Sequence, residues 1–382
     1  MKKSLIALAF GSLGLGIAEF AMMGILGSVA ENLHVSISTA GHLISAYALG
    51  VCVGAPVLLL VRKYPLKRIL LLLVTIILIG NLCATIAPNY WTLLIARFLS
   101  GFPHGAYFGV ASIVAQKLAD DGKNSQAVSI MIAGMTVATV FGVPLGTALS
   151  NTISWRLTFL LVACWSLLTL YCIWRWIPLV KNLPDNGFKG QFKFLKSPAP
   201  WLIISGTLLG NGGVYCWYSY INPLLTNISG FSTDSLTWLM VIAGFGMVIG
   251  NLLGGRLADR FQAGLVAAVV QSCMVFTLLL IFIFSPIQWA SIALMIIGTA
   301  GLFGVGSPLQ YLIIRFSKGG EMLGAASIQI AFNIGNAVAA YCGGLVLQAG
   351  FDYRYPALVG VPFAVIGSIL LFILHKKYEK QI

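Results

Sequence analysis

The chain has 382 residues, of which 59% are apolar, 9% are charged and 42 are glycine, and its formal net charge is +13. A soluble domain carries about 25% charged residues, so there is too little charge here to cover a water-facing surface. A soluble enzyme, a nucleic-acid binder and a disordered chain are excluded as wholes, and the excess of Lys and Arg reads as basic loops of a polytopic membrane protein.

A helix crosses a bilayer with about 20 mainly apolar residues, because every backbone polar group must be satisfied within the segment. Twelve stretches meet this requirement: 4–27, 40–61, 69–87, 91–116, 126–150, 155–177, 200–226, 235–256, 262–285, 288–314, 322–348 and 353–374. The first follows Lys2 and Lys3 and runs to Ser28-Val29-Ala30, a combination that also fits a cleaved secretory signal. Its length, and Glu19 inside it, argue that it stays as a span. The expected fold is an all-α membrane protein of twelve transmembrane helices.

Twenty of the twenty-three Lys and Arg lie in or beside alternate loops, the middle segment and the two ends. Only Arg156 and Arg354 fall on the opposite side, and Arg97 lies inside span four. The positive-inside rule places both termini and the middle loop in the cytoplasm. Residues 179–199 lack a long apolar run and form a cytoplasmic linker between an N-terminal half, 1–178, and a C-terminal half, 200–382. The halves echo each other: Gly101-Phe102-Pro103-His104-Gly105 is matched by the glycine-rich run Gly301 to Gly306, and Gly142 and Gly146 of span five by Gly343 and Gly344 of span eleven. Such duplicated units build transporters with a mid-membrane solute site.

The seven cysteines are scattered in apolar stretches without a Cys-x-x-Cys or Cys/His cluster, so no disulfide framework or metal site is expected. No phosphate-binding loop of the GxxxxGK[ST] type is present, so neither a nucleotide nor another cofactor is expected.

Several motifs carry a family resemblance. Arg97-Phe98-Leu99-Ser100-Gly101, Gly142-Val143-Pro144-Leu145-Gly146 and Gly255-Arg256-Leu257-Ala258-Asp259-Arg260 resemble the major facilitator superfamily. Ala18-Glu19-Phe20 and the Gly50 to Pro56 run are similar to its bacterial drug:proton antiporters, and the whole chain resembles the AraJ-type sugar (arabinose) efflux branch. The resemblance implies the two-half major facilitator fold, alternating access and proton-coupled export across the inner membrane. It also implies conformational roles for Asp259 and Arg260. The loop Val61 to Arg68 departs from the family by lacking an acid, so a latch using one would rest on Asp259 alone.

Only Glu19 and Arg97 are charged deep inside a span, where an ionisable residue costs roughly 2.5–3.5 kcal/mol or more. Counting from the helix ends puts Glu19 about 24 Å from Lys3 and Arg97 about 9 Å from Trp91, at similar depth. Burial disfavours a charged carboxylate and a nearby Arg favours it, so an alternating environment lets such a group load and release a proton. The rival reading is a fixed Glu–Arg pair that locks helices. His104, two turns from Arg97 on the same face, is a proton relay or a neutral hydrogen-bonding residue.

The second half offers amides and aromatics instead. Asn211, Tyr215 and Tyr218 in span seven, Gln310 in span ten, and Asn333 and Asn336 in span eleven suit a neutral hydroxylated or aromatic solute. Trp217 and Tyr220 equally fit an interfacial belt. Gly142, Pro144 and Gly146 set helix geometry, since small residues allow close approach and proline removes a backbone donor. The expected function is a monomeric inner-membrane antiporter whose partners are protons, a small solute and lipid, with a uniporter or importer of a neutral solute as the alternative. No catalytic residue is expected.

Overall fold

The computed structural model describes residues 3–180 and 187–381. Lys2, Lys181 and the 181–186 part of the expected linker lie outside the described residues. All regular structure among the described residues is helical: α1 (Lys3–Asn32), α2 (Ile37–Val57), α3 (Leu66–Ile86), α4 (Tyr90–Lys117), α5 (Asn124–Val137), α6 (Val143–Thr152) and α7 (Arg156–Trp176) come first. After two short turns follow α8 (Pro198–Gly206), α9 (Gly212–Tyr218), α10 (Ile221–Asn227), α11 (Leu236–Arg260) and α12 (Ala263–Phe284). The chain ends with α13 (Gln288–Gly304), α14 (Gly306–Phe316), α15 (Glu321–Gln348) and α16 (Tyr355–Lys377).

Among the described residues, eleven helical stretches are long and apolar enough to cross a membrane. The seventh expected span is the exception. It is made of α8, α9 and α10, with a π-helical bulge at Thr207–Asn211 between the first two. A second bulge, Ala138–Gly142, separates α5 from α6. Three of the interruptions have one cause. Pro144, Pro223 and Pro308 have no N–H for the carbonyl four residues back. Those carbonyls belong to Val140 in the bulge before α6, to Ser219 between α9 and α10, and to Gly304 at the end of α13. In the first case the Val143 N–H reaches back to the Ala138 carbonyl, a five-residue bond. Proline alone does not decide the matter, because Pro103 lies within unbroken α4.

The chain divides into two compact units, Met1–Phe194 with Ser317–Ile330, and Leu195–Phe316 with Ala331–Ile382. α15 therefore begins in the first and continues in the second. In a bilayer apolar burial does not drive helices together, so packing through small residues and interhelical hydrogen bonds carry the association. In the first unit Gly50 and Gly54 lay α2 directly on the α4 backbone, where a Cβ would overlap the Phe98 and Phe102 carbonyl oxygens. In the second, Gly250 and Gly254 of α11 do the same against the Ala300 and Gly304 carbonyls of α13. A close glycine crossing is thus present in each unit, but Gly101 lies against Tyr47 while Gly301 lies against Met274, so that pair of the sequence echo does not hold.

α1 is integral to the first unit. Its Met22, Ile25 and Val29 pack in one buried cluster with Leu43, Leu93 and Phe159. Arg156 closes one end of that unit: its Nη1 donates to Asn32 Oδ1 at 2.8 Å and its Nη2 to the Ala87 carbonyl at 3.0 Å. At the other end Ser4 donates to the Trp176 carbonyl and Lys67 to the Trp174 carbonyl, both at 2.7 Å. The second unit is centred on Val214, Trp217, Leu225, Met274 and Leu278.

Candidate functional site

The crossing of α2 on α4 builds a polar cluster in the first unit. Gly101 lies under the Tyr47 backbone, and a Cβ there would overlap the Tyr47 carbonyl oxygen. Arg97 is one turn before Gly101 and His104 about one turn after, so a side chain leaving α2 at Tyr47 meets both. The Arg97 guanidinium carbon rests 4.5 Å from the Tyr47 ring centre, and the Tyr47 hydroxyl shares a 2.9 Å hydrogen bond with His104 Nδ1. The hydroxyl also reaches the Leu15 carbonyl at 3.5 Å.

α1 supplies the acid. Arg97 Nη1 donates to the Ala18 carbonyl at 2.7 Å, which fixes the neighbouring Glu19 beside the cluster. Glu19 Oε2 stands 3.9 Å from His104 Nδ1. Arg97 is fully buried and His104 is 1% exposed, whereas the Glu19 side chain keeps 20% exposure. His104 is further held by stacking on Phe108, ring centres 5.0 Å apart.

Glu19, Arg97 and His104 therefore come together, but no hydrogen bond joins the acid to the guanidinium. Glu19 Oε2 and Arg97 Nε and Nη2 have no hydrogen-bond partner among the described residues. A buried polar group without a partner is expensive, so the cluster is short of partners at the acid and the base alike. Tyr47, the residue that links Arg97 to His104, carries no charge that would mark it in the sequence. The signal for it is its place one turn before Gly50, on the glycine face of span two.

Gly142, Pro144 and Gly146 lie where α1 meets the bulge and α6. A Cβ at Gly142 would overlap Ile17, and one at Gly146 would come 2.8 Å from Thr158 Cγ2 and 3.4 Å from Ala21. Ile17 and Ala21 flank Glu19, so this motif sets the position of the acid-bearing turn. Thr158 also donates to the Gly146 carbonyl at 2.8 Å. Asp259 and Arg260 end α11, with the Arg260 guanidinium carbon 5.4 Å from the Phe261 ring.

The second unit holds the amide and aromatic candidates. Asn211 closes the Thr207–Asn211 bulge, is 4% exposed, and its Oδ1 has no hydrogen-bond partner among the described residues. The irregular backbone is supported from α12, where buried Gln271 donates to the Gly210 carbonyl at 2.9 Å. Bulges of this kind are frequent at functional sites. Tyr215 and Tyr218 meet edge to face at 5.6 Å, one turn above Asn211. α15 approaches through Gly335, which packs against the Leu208 backbone and Gly212. Asn333 and Asn336 flank that contact, both half-buried, and Asn336 Oδ1 lacks a hydrogen-bond partner among the described residues. Gln310 is buried in α14. Trp217 is a core residue, 2% exposed and packed on Gly298, so it forms no interfacial belt. Tyr220 pins α15 by donating to the Ala340 carbonyl at 2.7 Å.

The sequence model of the Major Facilitator Superfamily matches residues 8–328. The chain is 46% identical to "Putative transporter AraJ" of Escherichia coli (strain K12), over 99% of this chain and 97% of that protein. It is 36% identical to "Inner membrane transport protein YdhP" of the same strain, again over 99% and 97%. A Helicobacter pylori protein named "Probable sugar efflux transporter" is 26% identical over 93% of this chain and 90% of its own. Among solved structures, the Escherichia coli fucose:proton symporter FucP has the same fold, with a TM-score of 0.78 at 15% identity over 97% of this chain and 98% of that one. Relatives and fold alike are those of transporters rather than enzymes. With the family match spanning most of a multi-pass helical chain, this protein belongs to the Major Facilitator Superfamily.

Proposed function

We propose that this protein is a proton-coupled secondary transporter that exports a small solute across the inner membrane by alternating access. It works as a monomer with both termini in the cytoplasm, and one relative is named an inner membrane transport protein. The observation that carries the reading is Glu19, a carboxylate deep in α1 with one oxygen lacking a hydrogen-bond partner, set beside His104, Tyr47 and Arg97. A carboxylate oxygen that no hydrogen bond holds is open to exchange a proton. Arg97, anchored to the Ala18 carbonyl and the Tyr47 ring, holds a positive charge against which the two charge states of Glu19 differ. His104 and the Tyr47 hydroxyl are the groups through which the proton reaches or leaves it. Each proton moving inward gains about 2.3 kcal/mol per 100 mV, enough for about fiftyfold solute accumulation.

The solute is a sugar or other hydroxylated compound, or a lipophilic drug. Asn211, Asn333, Asn336 and Gln310 supply amides for hydroxyl groups, and Tyr215 and Tyr218 supply ring faces. The efflux name of the Helicobacter pylori relative favours the sugar. Gly142, Pro144 and Gly146 keep α1 in register, while Asp259 and Arg260 act in the conformational change.

The test is uptake into inverted membrane vesicles under an imposed proton gradient, with pentoses, nucleosides and cationic drugs as candidate solutes. Glu19→Gln is expected to abolish gradient-driven uptake while the protein remains in the membrane. It is also expected to leave solute counterflow that no longer varies with pH. Gradient-driven uptake at the wild-type rate in Glu19→Gln would remove the proton role and favour a uniporter.

A further inference from the structure

Outside the polar clusters, the second unit contains a cavity of about 510 Å³ between the start of α8 and the end of α16. This volume is within the range of small-molecule sites. Its character is divided. Lys196, Lys377 and Tyr378 form a polar, cationic end, and Trp201, Leu202 and Ile373 contribute to an apolar wall. Among the described residues, no carboxylate lines it. The nearest acid in sequence, Glu379, is buried and committed elsewhere: one oxygen accepts the Gly264 N–H at 2.8 Å and the other lies 2.9 Å from His375 Nδ1. The positive charge of the two lysines is therefore uncompensated within the cavity.

The surroundings say which medium the cavity adjoins. Trp201 is 51% exposed and Ile369, beside the lining residue Leu370, is 52% exposed. Ile369 belongs to α16, which is long and apolar enough to cross a membrane, and Trp201 to the start of the seventh expected span beside it, so this apolar surface is taken to meet lipid rather than water. Trp201 is held in place at the rim, its indole N–H donating to the Leu195 carbonyl at 2.7 Å. Tryptophan at such a level belongs to the headgroup region.

We propose that this cavity binds one anionic phospholipid. The headgroup phosphate is held between Lys196 and Lys377, and an acyl chain lies along Trp201, Leu202 and Ile373. A soluble anion would leave the apolar wall uncovered. A zwitterionic lipid would bring its ammonium group against two lysines.

The test is native mass spectrometry of the detergent-purified full chain with phosphatidylglycerol or phosphatidylcholine added. One phosphatidylglycerol is expected to stay bound under activation that strips phosphatidylcholine. Lys196→Ala with Lys377→Ala should weaken its binding about 25-fold, each lysine near a lipid surface contributing about fivefold. Lys196→Arg with Lys377→Arg should retain it, which separates loss of charge from misfolding. Lys376→Ala with Lys380→Ala removes the same charge outside the lining, and binding should change little. Equal retention of the two lipids, equal loss in both alanine pairs, or displacement of phosphatidylglycerol by excess inorganic phosphate would each overturn the proposal.

Discussion

Replacing Tyr47 by Phe removes one oxygen and leaves the ring on which Arg97 rests at 4.5 Å. The lost hydroxyl is the 2.9 Å partner of His104 Nδ1. A neutral hydrogen bond contributes about 0.5–1.5 kcal/mol net, but a buried group stripped of its partner costs about 1–3 kcal/mol. His104 is 1% exposed, so water does not replace the hydroxyl and the larger figure applies. Glu19 Oε2, 3.9 Å away, is then an ionisable alternative within reach. We expect the imidazole to turn toward it and trap the acid. A penalty of about 1–3 kcal/mol on the working arrangement corresponds to a fall of about 5- to 150-fold in gradient-driven uptake. Counterflow at equal pH on both sides needs no net proton transfer and should stay near wild type. Tyr47→Leu removes the ring as well and should lose about 0.5–2 kcal/mol more. That excess should vanish when Arg97 is already Met, because the contact it measures is gone. Wild-type uptake and thermal stability in Tyr47→Phe would show that the hydroxyl is idle and refute the reasoning.

Two other perturbations separate packing from chemistry. Gly54→Ala puts a methyl onto the Phe102 carbonyl oxygen, backbone against helix, and should lose about 3 kcal/mol or fail to yield monodisperse protein on size exclusion. Gly41→Ala, on the same helix with open space around it, should be neutral or slightly stabilising; equal behaviour of the two would refute the close crossing. Asn211→Leu removes a buried amide whose oxygen lacks a hydrogen-bond partner among the described residues, so stability should hold while the solute KM rises about 2- to 12-fold. Lost stability with an unchanged KM would make Asn211 structural.

The spans were legible because hydropathy is a one-dimensional property. A run such as 69–87 contains no charge and has one stable solution in lipid, a helix. The broken seventh span was less legible. Residues 200–226 read as one apolar stretch, yet Pro223 withholds a donor from Ser219 and the bulge needs Gln271 from another helix to support it. Glu19, Arg97 and His104 were legible because charge and imidazole are costly in lipid. Tyr47 was not, since a tyrosine in a span has many ordinary uses. Only the Gly101 crossing, a contact between distant segments, gives it this one.

That crossing also bears on how labour is divided between the two units. Gly50 on Phe98 and Gly54 on Phe102 correspond to Gly250 on Ala300 and Gly254 on Gly304. In that register, Met247 stands where the first unit has Tyr47, and Thr299 where it has Arg97. Both are buried, and the Thr299 hydroxyl is satisfied within its own helix by the Met295 carbonyl at 2.9 Å. The same scaffold therefore carries ionisable side chains at these positions once and uncharged ones once. A buried charge is costly wherever it is placed, so keeping it in one copy confines that cost to the unit that uses it. Under the proposed mechanism the glycine crossing is the shared mechanical part, and Glu19, Tyr47, Arg97 and His104 are what the first unit adds to it. The amides of α15 and the span-seven bulge are the counterpart addition of the second. Met247→Tyr, lacking an acid on α9 to serve, should then leave coupling unchanged.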